Sequence, residues 1–206
     1  MLSGDGDGPP QPIEYETRLT ESAAPGDDIV DGGPGRDTLT FLGRRTGVTV
    51  DLSAGRTAGT GGEHDRLAAI ENVDGGSGDD LLIGDDADNL MQGESGDDRV
   101  DGRAGDDYLL GNLIPDSGDF SPMYTPPDPG ADTLRGGAGD DRLDAGSERG
   151  DLLSGGPGDD RLLDDLSILA TRVGTVRCGS GRDIIGFLPQ GHGSRQRLAS
   201  GRVRPR

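Results

Sequence analysis

The chain has no tryptophan, no lysine, one cysteine and only 3% aromatic residues among its 206. Each scarcity removes a class of structure. The lone cysteine, Cys178, permits no internal disulfide and no thiolate metal cluster. With 30% hydrophobic residues and no long apolar run, the chain offers no transmembrane span and too little apolar surface for an ordinary core. The first residues, MLSGDGDGPPQP, lack the basic and apolar regions of a secretory signal. The absence of lysine beside 20 arginines is the mark of a GC-rich coding sequence and carries no functional information.

What the chain does have is glycine, at 39 positions, and acid, giving a net charge of −19 and a pI near 4.2. The charge is unevenly placed. All 39 acids and 15 of the arginines lie in residues 1–186, a net of −24, while the last twenty residues carry five arginines and no acid. Of the acids, 32 are Asp and seven are Glu. Asp suits tight turns and compact oxygen cages; a solvated surface mixes in more Glu. Such a body repels nucleic acid and anionic membrane, so neither is expected as a partner. Composition alone puts the chain among unfolded ones unless something other than apolar burial neutralises and staples it.

A nine-residue period answers that condition. Residues 75–83 read GGSGDDLLI, 84–92 GDDADNLMQ, 93–101 GESGDDRVD and 102–110 GRAGDDYLL. Further copies are 136–144 GGAGDDRLD and 155–163 GGPGDDRLL, with 23–31 AAPGDDIVD and 32–40 GGPGRDTLT upstream. Looser ones are 127–135 PDPGADTLR, 146–154 GSERGDLLS and 178–186 CGSGRDIIG. The frame is GGxGxDx-apolar-x. In the central run, position six holds Glu71, Asp80, Asn89, Asp98 and Asp107, and position eight holds Val73, Leu82, Met91, Val100 and Leu109. A solvated acidic linker does not keep such a register.

Each position has a physical task. Glycine at one, two and four admits positive φ and a tight turn with inward carbonyls. The residues after position six form one short strand with its aliphatic side chain inward. One such strand buries almost nothing, so the units must stack.

These motifs resemble the repeats of the RTX, or haemolysin-type, calcium-binding proteins. Residues 46–74 also resemble the irregular segment that often interrupts such arrays. The resemblance covers about residues 23–186 and implies an all-β, right-handed parallel β-roll. In such a roll two nonapeptides make one turn, and calcium sits in the loops between turns.

In that geometry residues 18 apart stack at roughly 4.8 Å, the ladder spacing of any sheet. Calcium–oxygen distances of roughly 2.3–2.6 Å then let two stacked side chains grip one ion, with turn carbonyls completing its shell. The expected pairs are Asp80 with Asp98, Asn89 with Asp107, and Glu71 with Asn89. Beyond these come Asp132 with Asp151 and Asp141 with Asp160, where a spacing of 19 requires one residue near Ala145 to loop out. Asp28, Asp37 and Asp183 are further candidates without a partner 18 residues on; Asp28 and Asp37 would pair only through the interrupter. The glycines expected to turn their carbonyls to the metal are Gly75, Gly78, Gly93, Gly96, Gly102, Gly105, Gly136, Gly139, Gly155 and Gly158. The position-five acids Asp79, Asp97, Asp106, Asp140 and Asp159 are expected to face solvent. About six to eight Ca²⁺ ions would cancel half or more of the local charge and couple binding to folding.

Around the array, residues 1–22 read as a lead-in with a capping strand at 13–19, 40–70 as the interrupter, and 114–128 as a Pro-rich insertion. Residues 164–177 lack a position-six acid, so calcium binding should lapse there and a calcium-free strand cap should run from Ile168 to Val176. Residues 187–206 read as a disordered Arg-rich tail. No catalytic motif is present: His64 belongs to no HExxH, Cys178 fills a glycine slot, and the acidic pairs repeat too regularly for a glycosidase dyad. The expectation is a monomeric, extracellular, non-catalytic calcium-binding module. The alternatives are the C-terminal part of a larger secreted enzyme or a calcium-dependent adhesive protein.

Overall fold

The computed structural model describes residues 17–20, 27–41, 44–59, 64–112, 130–146, 150–164 and 175–187. Among them there is no helix. The strands are β1 (Thr17–Thr20), β2 (Ile29–Asp31), β3 (Asp37–Thr40), β4 (Val48–Asp51), β5 (Arg56–Gly59), β6 (Arg66–Ala68), β7 (Asn72–Ser77), β8 (Leu81–Ile83) and β9 (Leu90–Ser95). They continue with β10 (Arg99–Ala104), β11 (Tyr108–Leu110), β12 (Thr133–Ala138), β13 (Arg142–Asp144), β14 (Leu152–Pro157), β15 (Arg161–Asp164), β16 (Thr175–Ser180) and β17 (Ile184–Phe187).

Apart from β4, β5 and β6, which share one sheet, successive strands alternate between two sheets. One runs β1-β3-β7-β9-β11-β13-β15-β17, all parallel. The other runs β16-β14-β12-β10-β8-β4-β5-β6-β2. Its pairings are parallel except β4 with β5 and β5 with β6, which lie inside the segment that breaks the nonapeptide period. This is a parallel β-roll, one turn per two repeats.

Position eight builds the interior. Leu39, Val73, Met91, Leu109, Leu143 and Leu162 stack in register along the first sheet. Val50, Leu82, Val100, Leu134 and Leu153 do the same along the second. All of them are essentially fully buried and belong to one cluster. The core is thus a single file of aliphatic side chains from each sheet, one per nonapeptide.

Two features differ from the sequence reading. Strands such as β7 and β10 continue through positions one to three, pairing Gly76 with Glu94 and Arg103 with Gly137, because stacked turns hydrogen-bond there too. The second concerns the unit containing Asp132. The frame 127–135 gave its first position to Pro127; in the structure Gly111 lies against Asp132, so residues 113–129 interrupt one unit between its second and fourth positions. The insertion at 114–128, most of the lead-in and the tail from 188 lie outside the described residues, as does most of the expected cap at 168–176, whose last two residues open β16.

Candidate metal sites

Position six lies just before each short strand, at the mouth of a glycine turn. There the side chain of one turn reaches the backbone of the turn before it. Along one edge of the roll, the N–H of Asp80 donates to Asp98 Oδ1 at 2.9 Å, Asp98 to Asp132 at 3.0 Å, and Asp132 to Asp151 at 3.0 Å. Along the other, Asn89 donates to Asp107 at 2.9 Å, Asp107 to Asp141 at 3.0 Å, Asp141 to Asp160 at 3.0 Å, and Asp160 to Asp183 at 3.2 Å. Upstream, Val48 N–H donates to Asp80 Oδ1 at 2.7 Å, and two separate links run from Asp28 N–H to Asp65 Oδ1 and from Asp37 N–H to Glu71 Oε2, both at 2.9 Å.

Each such carboxylate has one oxygen committed to this ladder. The other Oδ2 of Asp80, Asp98, Asp107, Asp141 and Asp160 is buried with no hydrogen-bond partner, as are both oxygens of Asp37. Position-one glycine leaves the space these oxygens face. A methyl group on Gly75 would collide with Asp80 Oδ2 and lie 2.9 Å from the Gly93 carbonyl oxygen. On Gly102 it would meet Asp107 Oδ2 and the Gly136 carbonyl at 2.7 Å; on Gly155, Asp160 Oδ2 and the Cys178 carbonyl at 2.7 Å. Gly93 and Gly136 face Asp98 and Asp141 in the same way.

Position one is therefore glycine for lack of room. At Gly75, Gly93, Gly102, Gly136 and Gly155 φ is not in the left-handed region, contrary to the sequence expectation; positive φ belongs to positions two and four, as at Gly76 (108°) and Gly78 (116°). Gly96, Gly105, Gly139 and Gly158 repeat the position-four conformation.

Anionic and carbonyl oxygens facing one small space, with no protein donor between them, are the arrangement that suits a cation. Among the described residues no three His, Cys, Asp or Glu side chains gather as a metal cluster, so carbonyls must supply much of any shell. Burial pushes these carboxyls up, Asp98 to about 8, Asp80, Asp107 and Asp141 to about 7, and Asp160 to about 6. Neighbouring aspartates add to the rise, and the accepted backbone hydrogen bonds oppose it. Without a cation, each cradle holds a proton more tightly than a free carboxyl does.

The metal-binding repeat has a name. One family, described as the RTX calcium-binding nonapeptide repeat, matches in four copies over residues 22–40, 72–112, 128–152 and 146–163. The chain carries repeats of that family. No curated protein matches the chain. The RTX repeats bind calcium, and the two ladders are the part of the roll that carries their acids.

Against the RTX frame, the expected pairs Asp80–Asp98, Asn89–Asp107, Asp132–Asp151 and Asp141–Asp160 are neighbours in the ladders. Glu71 is not paired through its carboxylate with Asn89, as spacing implied. It turns to Asp37, and Asn89 Nδ2 donates to the Glu71 carbonyl at 3.1 Å. Asn89 Oδ1 accepts from Asp85 N–H at 2.9 Å, so this amide is satisfied within its own repeat. Asp65, partner to Asp28, and the links Asp98–Asp132 and Asp107–Asp141 escaped the sequence reading, since insertions stretch their spacing to 37 and 34.

The position-five acids are exposed, and they are also a second ladder. Asp79 Oδ1 accepts from Asp97 N–H at 3.0 Å, Asp97 from Ala131 at 2.8 Å, and Asp140 from Asp159 at 2.7 Å. They reach the following turn, whereas position six reaches the preceding one. His64 is exposed, and Cys178 is a partly buried thiol pushed up by desolvation and by Asp183 and Asp160.

Proposed function

We propose that this RTX chain is a calcium-gated folding module, without catalysis of its own, that acts outside the cell. The observation that carries the reading is the set of buried carboxylate oxygens without donors at Asp37, Asp80, Asp98, Asp107, Asp141 and Asp160. A roll with one aliphatic residue per nonapeptide has little apolar burial to oppose their desolvation, so the ions complete the interior. Asp80, Asp98, Asp107, Asp141 and Asp160 hold them, with carbonyls such as those of Gly93 and Gly136; Asp37 and Glu71 serve the first turn, and Asp151 and Asp183 extend the ladders. Roughly six to eight ions per chain fit this count of turns, most of them with the weak affinity, about 10⁻⁴–10⁻³ M, of extracellular calcium modules. Such sites are filled at millimolar calcium and empty in a cytosol, so the chain folds after export.

Circular dichroism during calcium titration of chelator-treated protein, with magnesium as control, tests the reading. The expected result is a cooperative rise of β signal with calcium alone. Full β content in chelator, or an equal response to magnesium, would overturn it. An acidic-pair hydrolase is disfavoured because the same pair recurs at every turn.

A further inference from the structure

Asn112 occupies a cradle whose counterparts at the Asp80, Asp107 and Asp160 turns face no donor. It lies beside Gly111, the position-one residue of the unit split by the insertion, and is 4% exposed. A methyl group on Gly111 would meet Asp132 Oδ2 and lie 2.8 Å from the Ala145 carbonyl oxygen, the arrangement found at Gly102 with Asp107 and Gly136. At the Asp107, Asp80 and Asp160 turns that carboxylate oxygen has no hydrogen-bond partner. At the Asp132 turn, Asn112 Nδ2 donates to Asp132 Oδ2 at 3.4 Å and to the Ala145 carbonyl at 3.3 Å. One NH₂ group satisfies both the anionic and the carbonyl oxygen, as a cation would.

We propose that the Asn112 amide is a built-in substitute for calcium at the Asp132 turn, which makes this turn the metal-independent nucleus of the roll. The proposal rests on the reading of the neighbouring cradles as calcium sites. Its chemistry is specific to an amide. The NH₂ group has two hydrogens, one for each acceptor, and carries no charge that would need a further partner. The side-chain oxygen of Asn112 is itself buried without a donor, so the residue's hydrogen bonds in the cradle are made through its nitrogen. The position also has a use. The insertion at 113–129 places a long connection inside this unit, whose closure opposes folding, and a turn that forms without waiting for an ion offsets that cost. The roll then propagates from residues 99–112 and 130–146 in both directions as ions arrive.

The test compares the full chain with Asn112→Asp and Asn112→Gly. Asp is isosteric but sets a second carboxylate against Asp132; Gly simply empties the cradle. Calcium is counted by isothermal titration, and amide hydrogen exchange over residues 132–146 is followed in chelator. The expected result is one more calcium per chain in both variants and at least tenfold faster exchange in chelator, with parental β content restored at saturating calcium. Unchanged stoichiometry with tighter binding in Asn112→Asp would make residue 112 a ligand and overturn the proposal. Unchanged stoichiometry and exchange would overturn it as well. A parent that binds no calcium would instead remove the underlying calcium reading, whereas a parent that binds calcium with unaltered variants removes only this inference.

Discussion

Asp98 holds the N–H of Asp80, eighteen residues earlier, at 2.9 Å with one carboxylate oxygen, while its other oxygen is buried without a partner. The first oxygen fixes the turn spacing and the second demands a cation. Adjacent Asp97 is exposed, and its Oδ1 accepts from Ala131 N–H.

The two residues should therefore separate by mutation. Asp98→Ala is expected to weaken calcium affinity about tenfold or more, near 1.4 kcal/mol, and to lower the folded fraction. Asp97→Ala removes one exposed hydrogen bond, worth roughly 0.5–1.5 kcal/mol at most, and should leave calcium affinity within about threefold of the parent. Isothermal titration with circular dichroism reads both, and equal effects on calcium would show the register to be wrong.

Acid should fold the calcium-free chain. The cradle carboxyls rise in the folded state from an ordinary value of 3.8 to about 6 at Asp160, about 7 at Asp80, Asp107 and Asp141, and about 8 at Asp98. A raised pKa means the folded state binds protons more tightly, so its stability is greatest below the unfolded value and is lost as pH climbs through 6 to 8. Chelator-treated protein is expected to show more β signal at pH 5 than at pH 8.5, and calcium binding near pH 7 should release protons. Titration in buffers of different ionisation enthalpy measures that release; none detected would contradict the burial of these groups.

Arg103 and Glu94 sit at position two with φ of 76° and 84°, where other repeats have Gly137 and Gly156. Arg103→Gly should relieve left-handed strain of about 1 kcal/mol and raise the melting temperature in saturating calcium. Gly137→Ala should do the reverse, because its Cβ would strike the Arg103 carbonyl and its φ is 121°. Denaturant unfolding at fixed calcium compares them; a destabilised Arg103→Gly would locate the arginine's worth in its charge beside Asp51.

Leu109 is completely buried between Met91 and Leu143 in the column of the first sheet. Leu109→Ala is expected to cost about 2–5 kcal/mol by the usual transfer and cavity effects. The calcium midpoint should shift upward, since each ion must then stabilise a weaker turn. A midpoint identical to the parent would mean that packing and ion binding are uncoupled.

Much of this architecture was legible because the period of nine forces acid and aliphatic positions into separate columns; Asp80, Asp98, Leu82 and Val100 could be assigned by counting alone. Counting failed where chain was inserted. Asp98 meets Asp132 across 34 residues and Asp28 meets Asp65 across 37, intervals that hide an unchanged turn geometry. It also misjudged position one. Glycine there answers to a carboxylate pressed against its Cα, a constraint that arises only once turns are stacked. Asn112 escaped because its amide matters through a cradle assembled from Asp132 and Ala145, neither of them near it in the chain.

The paired acids of each GDD motif clasp opposite neighbours, one forward and one back. A stack held this way has no weak joint in its middle, and only its terminal turns lack a grip on one side. Drawn apart at its ends, such a molecule would peel from the outside inward, surrendering roughly eighteen residues, about 60 Å of chain, at each step that crosses no insertion. Calcium would then set the force of each step at an ion-holding turn without altering its length.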